Sequence, residues 1–148
     1  AIDRGRGIVA GAGGVTMAID MRSGRRLWER EIAGRESPWV AGEWIFMLSE
    51  SEEVVALRRA DGRVKWVTAL ARFEDEERHR DPITWTGPLL VGDRLVVGSS
   101  RGEALALSPY TGEILGRQRL PAGVTVPMVV AEQTLFLLTD GATVVALR

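Results

Sequence analysis

Short apolar runs bounded by Gly, Asp or Ser recur along this chain and predict β-strands. Residues 43–48, 94–98 and 134–138 are the clearest of these runs. In the first of them Trp44, Phe46 and Leu48 fall on one face, while Ile45 and Met47 fall on the other. Strands that are apolar on both faces lie in a sheet covered on both sides. No segment has a convincing helical period, so the pattern predicts an all-β fold.

A longer pattern repeats four times: a strand containing Ala-Ile or Ala-Leu, a turn with Gly, and then a second strand. The copies span residues 15–28, 54–66, 104–116 and 144–148, and their alanines are Ala18, Ala56, Ala106 and Ala146. The alanines are 38, 50 and 40 residues apart. A strand-based period near 40 is typical of β-propellers, in which each repeat forms one four-stranded antiparallel blade.

Four strands can be assigned to most repeats, which places approximate blades at residues 1–34, 35–71, 83–121 and 122–148. The first repeat has a truncated opening strand. The last repeat has strands predicted at residues 124–131, 134–138 and 143–147, and no fourth strand follows. The chain is therefore expected to hold about four blades of a single propeller segment, the last one open. An unpaired edge invites pairing, so we expect the closing strand to come from elsewhere.

Several repeated positions are expected to serve turns and packing. Glycine supplies the positive φ that tight hairpins need, and small alanines suit places where neighbouring sheets crowd. Tryptophan at equivalent positions 38 residues apart could stack on a quinone, but recurrence at the repeat spacing favours packing between blades. Gly116 stands where the third repeat would have its tryptophan. The structural repeat positions are Ala18, Gly24, Trp28, Ala56, Gly62, Trp66, Ala106, Gly112 and Ala146.

The composition narrows the function classes. Hydrophobic residues make up 45% and charged residues 26% of the chain, as expected for a folded globular protein. A net charge of −1 leaves no basic footprint for nucleic acid. With zero cysteines, disulfides, thiolate zinc sites and thiol catalysis are excluded. No apolar stretch approaches the roughly 20 residues of a membrane span. Neither a signal peptide nor a lipidation cysteine is present, and the compartment stays open.

The long second interval contains a charged insertion at residues 71–82, expected to form a loop on one rim of the array. It holds His79, the one histidine, which could act as a base or metal ligand, and an acidic run (Glu74, Asp75, Glu76 and Glu77) that could attract calcium. The histidine has no second ligand nearby, and the acidic spacing does not resemble a calcium loop, so a solvated loop is favoured. A partner contact is the third interpretation. Its candidate residues are Arg72, Phe73, Glu74, Asp75, His79 and Arg80.

Two glycine-containing motifs resemble catalytic or phosphate-binding loops. Residues 98–102 read Gly-Ser-Ser-Arg-Gly, which matches the nucleophile elbow of hydrolases, and residues 11–14 read Gly-Ala-Gly-Gly. An elbow needs a helix after its serine, and a phosphate loop delivers the anion to a helix N-terminus. Strands follow both motifs here. We therefore interpret both as turns, and no catalytic, cofactor-binding or metal residue is assigned.

The motif Ala-Ile-Asp-x-x-Ser-Gly-x-x-x-Trp at residues 18–28 resembles the blade signature of pyrroloquinoline-quinone-type β-propellers. Within that group the whole chain resembles the C-terminal half of the proteins of the BamB family, which are lipoproteins of the outer-membrane β-barrel assembly machinery. Residues 18–31, 87–98 and the final Val-Ala-Leu-Arg carry this resemblance. It implies an eight-bladed ring closed by an N-terminal strand, a lipid anchor on an N-terminal cysteine, and a location on the periplasmic face of the outer membrane.

Three function hypotheses follow. The resemblance implies a scaffold without enzymatic activity or cofactor, which docks on the barrel-forming subunit of the assembly machinery. The open edges would pair with the missing propeller half or with another copy. A generic quinoprotein-like binding or sensor module is the alternative. A quinone-dependent dehydrogenase is disfavoured, because its usual vicinal disulfide is excluded and no clustered ligands are evident. We carry over none of the family's contact residues, since its main docking loops lie upstream of Ala1.

Overall fold

The computed structural model describes all residues from 1 to 148, and every regular element in it is a β-strand. The chain divides into two compact units, residues 1–68 and residues 69–148. No helix of the length and apolarity required to cross a membrane is found. The sheets contain four antiparallel strands in sequence order, apart from a two-stranded hairpin and a three-stranded last sheet. This is the all-β architecture of propeller blades that the sequence predicts.

The first unit consists of two four-stranded sheets, each a meander in which consecutive strands pair. The first sheet contains β1 (Ile2–Asp3), β2 (Arg6–Ala10), β3 (Thr16–Asp20) and β4 (Arg26–Arg30). The second sheet contains β5 (Trp39–Ala41), β6 (Trp44–Leu48), β7 (Glu53–Arg58) and β8 (Val64–Ala69). Short connections join consecutive strands into antiparallel pairs. A slip of one residue would turn the buried side chains to the other face of the sheet, so the apolar pattern fixes the register.

The core of the first unit lies between these two sheets. Ile8, Ala18 and Trp28 lie side by side across the first sheet, where the register pairs Ile8 with Ala18 and Ala18 with Trp28. They form one buried cluster with residues from one face of β6 and β7, namely Ile45, Met47, Val55 and Leu57. Burial of these side chains is the main favourable term that holds the two sheets together.

The second unit begins with a small hairpin and continues with two larger sheets. The hairpin pairs β9 (Phe73–Asp75) with β10 (Arg80–Pro82). The next sheet contains β11 (Trp85–Val91), β12 (Arg94–Ser99), β13 (Glu103–Leu107) and β14 (Ile114–Arg119). The last sheet contains β15 (Val129–Ala131), β16 (Thr134–Leu138) and β17 (Val144–Leu147).

Two expectations need correction. The opening strand of the last repeat, predicted at residues 124–131, begins only at Val129. The preceding residues instead pack as irregular chain against the neighbouring sheet, where a Cβ added to Gly98 would lie 3.3 Å from Val124 and 3.5 Å from the Met128 sulfur. The charged insertion, expected to be a loop, folds into the β9–β10 hairpin.

The four alanines that mark the repeat do not share one environment. Ala18 and Ala56 are fully buried, Ala106 is half-buried and Ala146 is exposed. No further sheet of these 148 residues faces Ala146, so its crowding by a neighbouring sheet stays a prediction. Ala146 lies opposite Phe136 on the outer face of the last sheet, which no other element of the second unit covers.

Candidate functional site

The β9–β10 hairpin is the candidate site that the sequence singles out. Cross-strand pairs place Phe73 opposite Pro82 and Asp75 opposite Arg80 on one of its faces. Because successive strand residues point to opposite faces, Glu74 projects from the other. Phe73 and Asp75 are half-buried, whereas Arg80 and Pro82 are exposed. Three of the six predicted contact residues, Phe73, Asp75 and Arg80, thus share one face of the hairpin, and Glu74 lies on the other.

Acidic side chains of this segment order the hairpin itself. The Glu76 carboxylate accepts hydrogen bonds from the backbone N–H groups of Arg72, at 2.7 Å, and Phe73, at 3.2 Å. These bonds, that from Arg72 first, lower the pKa of Glu76. Asp75 accepts a hydrogen bond from the backbone N–H of Arg78 at 3.1 Å. These carboxylates therefore cap the turn rather than converge, and no group of three or more His, Asp or Glu side chains is arranged to hold a metal ion.

An aromatic contact joins the turn of the hairpin to the start of its first strand. The His79 ring meets the Phe73 ring edge-on, with centroids 5.1 Å apart and planes inclined by 72°. His79 has a φ of 50°, in the left-handed region, and its side chain is exposed. The Arg72 guanidinium lies 6.0 Å from the centre of the Phe73 ring. The arrangement presents an aromatic ring with an arginine beside it, a combination enriched at protein interfaces.

The base of the hairpin is anchored to the body of the second unit. The Trp85 indole N–H donates to the Ala71 carbonyl at 2.8 Å, and the Ile83 N–H donates to the Arg72 carbonyl at 2.8 Å. On the face opposite Phe73, the Glu74 carboxylate lies 3.8 Å from the Arg101 guanidinium. A segment with a fixed base and an exposed tip can present its side chains to a partner with little ordering cost.

The repeated tryptophans differ in their surroundings. Trp28 is buried, and its indole N–H donates to the Arg59 carbonyl at 2.9 Å. The Trp66 ring lies 6.1 Å from the Phe46 ring. The first contact is a hydrogen bond to the neighbouring sheet, and the second is a contact between two rings of one sheet. The repeated turn glycines Gly24, Gly62 and Gly112 have φ values of 70°, 71° and 77°.

The Gly-Ser-Ser-Arg-Gly motif is a hairpin turn between β12 and β13. The Ser99 hydroxyl accepts hydrogen bonds from the N–H groups of Arg101, at 3.2 Å, and Glu103, at 3.1 Å. Ser49 and Thr139 accept the same bond from the residue four positions later, at 3.2 Å in each case. All three hydroxyl residues are buried. The sequence analysis missed this repeated hydrogen bond, whose signal is a Ser or Thr at the end of the second strand of a repeat or directly after it.

Comparison with known families identifies the chain's relatives. The family model described as "Outer membrane protein assembly factor BamB" matches residues 1–68 and 70–148. The curated BamB of Marinobacter adhaerens is 29% identical over 124 residues, which cover 81% of this chain and 29% of that protein. BamB of Escherichia coli is 27% identical over 128 residues, covering 86% of this chain and 30% of that protein. The chain thus spans about a third of the length of these relatives.

Solved structures agree on the fold. The crystal structure of BamB from Moraxella catarrhalis superimposes with a TM-score of 0.84 at 20% identity, over 99% of this chain and 42% of that one. The quinohemoprotein alcohol dehydrogenase of Comamonas testosteroni superimposes with a TM-score of 0.68 at 19% identity, over 80% of this chain and 20% of that one. At such identities the likeness concerns the fold alone.

Proposed function

Since this chain belongs to the BamB family of outer membrane protein assembly factors, we propose that it is part of a non-enzymatic scaffold for the assembly and insertion of β-barrel proteins. The family match over nearly all residues carries this proposal. The scaffold would act on the periplasmic face of the outer membrane. It would dock on the barrel-forming subunit of the assembly machinery and hold that subunit in a productive geometry, with no bond made or broken by its own residues.

The contact that we propose for this partner is the exposed face of the β9–β10 hairpin. Phe73 supplies an aromatic anchor, and Arg72 and Arg80 supply exposed cations around it. Aromatic and arginine side chains dominate binding energy at many interfaces. The partly buried hydrogen bond from the Trp85 indole to the Ala71 carbonyl keeps the base of the hairpin in place, so little conformational entropy is lost when a partner binds.

The proposal is tested by variants of the hairpin in a binding assay with the purified barrel-forming subunit. Phe73→Ala is expected to weaken binding at least tenfold, in the range found for interface hot spots. Arg80→Glu reverses an exposed charge and is expected to lower the association rate most at low salt. A third variant lacks residues 73–81. It keeps Ala71, because the Ala71 carbonyl accepts a hydrogen bond from the indole N–H of Trp85.

The matched controls are substitutions on turns far along the chain from the hairpin. Tyr110→Ala removes an aromatic ring that is 67% exposed, and Arg22→Glu reverses another exposed charge. Both controls should bind as the unaltered chain does. Equal binding by the Phe73→Ala variant and the unaltered chain, with the hairpin shown to be intact, would assign the hairpin no part in docking. Absence of all binding to the subunit would count against the scaffold role.

A further inference from the structure

An arginine and a glutamate on neighbouring strands form an ion pair in the sheet β11–β14. The Arg117 guanidinium of β14 lies 3.1 Å from the Glu103 carboxylate of β13 and donates a hydrogen bond to it. Both side chains line a cleft that is also bordered by Ile83, on the chain before β11, and by Arg101, on the turn between β12 and β13. This cleft of the second unit therefore contains arginines of its own.

The sheet β5–β8 has an equivalent cleft that keeps the glutamate but lacks these arginines. Equivalent positions lie at the same distance from the repeat alanine, which is Ala56 in this sheet and Ala106 in the other. All residues that line the cleft lie between positions 31 and 67, within the first unit. The missing arginines are thus a difference between two repeats that both lie within the 148 residues. The corresponding residues are Glu53 for Glu103, Ser51 for Arg101 and Val67 for Arg117.

This cleft, here called the acidic groove, has a volume of about 290 Å³ and lies between the chain that leaves β4 and the strands β7 and β8. Its larger apolar residues are Ile32, Val55, Val64 and Val67. Val55 is buried, whereas Val64 and Val67 of β8 are 49% and 50% exposed. The volume is at the lower end of the range of ligand pockets, which suits a single side chain of a partner.

Three glutamates border the acidic groove, and no lysine or arginine does. Glu31 and Glu50 are exposed, and Glu53 is half-buried. The Glu53 carboxylate accepts a hydrogen bond from the Ser49 hydroxyl at 3.4 Å. None of the three glutamates takes part in an ion pair of the chain. Their negative charge is therefore not balanced by a neighbouring side chain, and it attracts cations to the groove.

The cations close to the groove in sequence are engaged elsewhere. Arg30 donates to a carbonyl of the turn between β7 and β8 at 2.9 Å, and Arg35 pairs with Glu52. The Lys65 ammonium lies 3.9 Å from the centre of the Trp44 ring. A cation that binds the three glutamates must therefore come from outside the chain.

We propose that the acidic groove binds an arginine side chain on a basic segment of a partner polypeptide. The Arg117–Glu103 pair defines the ligand, because it places an arginine on the glutamate that corresponds to Glu53. The aliphatic part of the partner's arginine would pack on Val55 and Val67 while its guanidinium meets the carboxylates. A polypeptide is the occupant because β8, which carries Val67, is the edge strand of its sheet and offers main-chain groups beside the groove. The groove adds a second docking point to the proposed scaffold, a role on which its biological use rests.

The direct test is a titration of the ¹⁵N-labelled 148-residue chain, observed by NMR. The first probe is N-acetyl-arginine amide, and the second is its citrulline counterpart, which has nearly the same shape and no charge. Because each probe is small, we expect a dissociation constant on the order of 1 mM for the first and binding about threefold weaker for the second. The largest shifts should fall on the amides of Ala33, Glu53 and Val67.

A third probe, the amide of N-acetyl-Val-Arg-Val, tests whether the occupant is a polypeptide. Its flanking residues can pair with the main chain of β8, so we expect it to bind about threefold more tightly than the first probe. Equal affinities of the first and third probes would overturn the choice of a polypeptide.

Val67→Arg should fill the groove with an arginine of the chain's own, as Arg117 does in the other sheet, and abolish probe binding. The Val67 side chain is 50% exposed, so the longer side chain can be accommodated. Glu53→Gln keeps the shape of the side chain but removes its charge, and it should weaken binding of the arginine probe about threefold. Glu43→Gln is the matched control, since it removes an exposed carboxylate from the turn between β5 and β6, at the other end of the sheet, and should leave binding unchanged.

Saturable shifts on groove residues that are lost in Val67→Arg or weakened in Glu53→Gln support the site. No saturable shift, or shifts that persist unchanged in both variants, overturn it. Equal binding of the arginine and citrulline probes would overturn the argument from charge, and with it the choice of an arginine. The assay contains no assembly subunit, so a negative result here leaves the test of the scaffold role and of the hairpin independent.

Discussion

The Trp28 indole N–H donates to the carbonyl of Arg59 at 2.9 Å, and this bond joins the first sheet to the second. The Arg59 side chain also connects the second sheet to the first. It is buried, lies 2.8 Å from the Asp3 carboxylate in an ion pair, and donates to the Gly42 carbonyl at 3.3 Å. One residue of the second sheet thus contacts the first sheet through both its main chain and its side chain.

Removal of the Trp28 ring should destabilise the chain strongly. Trp28→Ala leaves a cavity in the core of the first unit and is expected to cost about 3–5 kcal/mol. Trp28→Phe keeps an aromatic ring but leaves the Arg59 carbonyl without its donor, at about 1–3 kcal/mol. Urea denaturation measures both values. Val64→Ala, at a side chain that is 49% exposed, is the control and should cost little. Equal midpoints for Trp28→Phe and the unaltered chain would show that the hydrogen bond contributes nothing.

Gly62 should tolerate a methyl group less well than Gly42 does. Both residues have positive φ, of 71° and 57°, so alanine strains the backbone at either site by about 1–2 kcal/mol. A Cβ at Gly62 would in addition lie 2.5 Å from the Trp28 ring, whereas a Cβ at Gly42 would meet nothing within 4 Å. Overpacking then adds about 1–3 kcal/mol at Gly62 alone. Denaturation midpoints of Gly62→Ala and Gly42→Ala give this difference, and equal losses would contradict the packing argument.

The fold could be predicted because its signals are local and repeated. The strand Thr134–Leu138 has the bounds that its apolar run predicts, and Arg94–Ser99 is one residue longer than its run. The opening strand of the last repeat was predicted too long, since Val124, Val126 and Met128 alternate as in a strand although Pro127 interrupts the run. Val124 and Met128 are buried against the neighbouring sheet instead. Burial against that sheet fixes the conformation of these two residues. The alternation of apolar residues along the chain does not show on which surface a residue packs.

The candidate site was only partly predictable. The insertion is visible as a break in the repeat spacing, but the apolar pattern does not show the local hydrogen bonds from the Arg72 and Phe73 N–H groups to the Glu76 carboxylate that order its hairpin.

Asp61 should make stability sensitive to acid. Its hydrogen bond from the Arg58 guanidinium, followed by the bond from the Arg63 N–H, holds the pKa of Asp61 well below its ordinary value of 3.8. A carboxyl whose pKa is lower in the folded state stabilises that state above its unfolded pKa, and the contribution is lost as the pH falls through the folded pKa. We therefore expect the thermal midpoint to fall from about pH 4 downward.

The comparison of Asp61→Asn with the unaltered chain isolates this contribution. The variant should have a lower midpoint at about pH 6, and the difference should shrink as the pH approaches about 2, where the carboxyl begins to be protonated. Asp93→Asn, at a side chain that is 85% exposed, is the control and should follow the unaltered chain across the range. A gap between Asp61→Asn and the unaltered chain that stays constant with pH would remove the ionised carboxyl as the cause.

The last sheet should promote self-association of the 148-residue chain. Phe136, Leu138 and Val144 lie together on its outer face, because the register pairs Leu138 with Val144 and places Phe136 beside them. They are 39%, 46% and 68% exposed, and β17 beside them is an edge strand with an unpaired ladder. Exposed apolar patches and open edges both favour association. Light scattering over a range of concentrations should therefore show dimers or larger species.

Phe136→Lys places a charge at the centre of this outer face, where association would have to bury it without a partner charge. The concentration at which half of the chain is associated should rise at least tenfold, since an unpaired buried charge costs more than 1.4 kcal/mol. Tyr110→Lys adds the same charge at an exposed turn residue away from the sheet face, so association should persist in that variant. A folded, monodisperse monomer in the unaltered chain would show that the apolar face and the edge of β17 are too weak to bind a second copy.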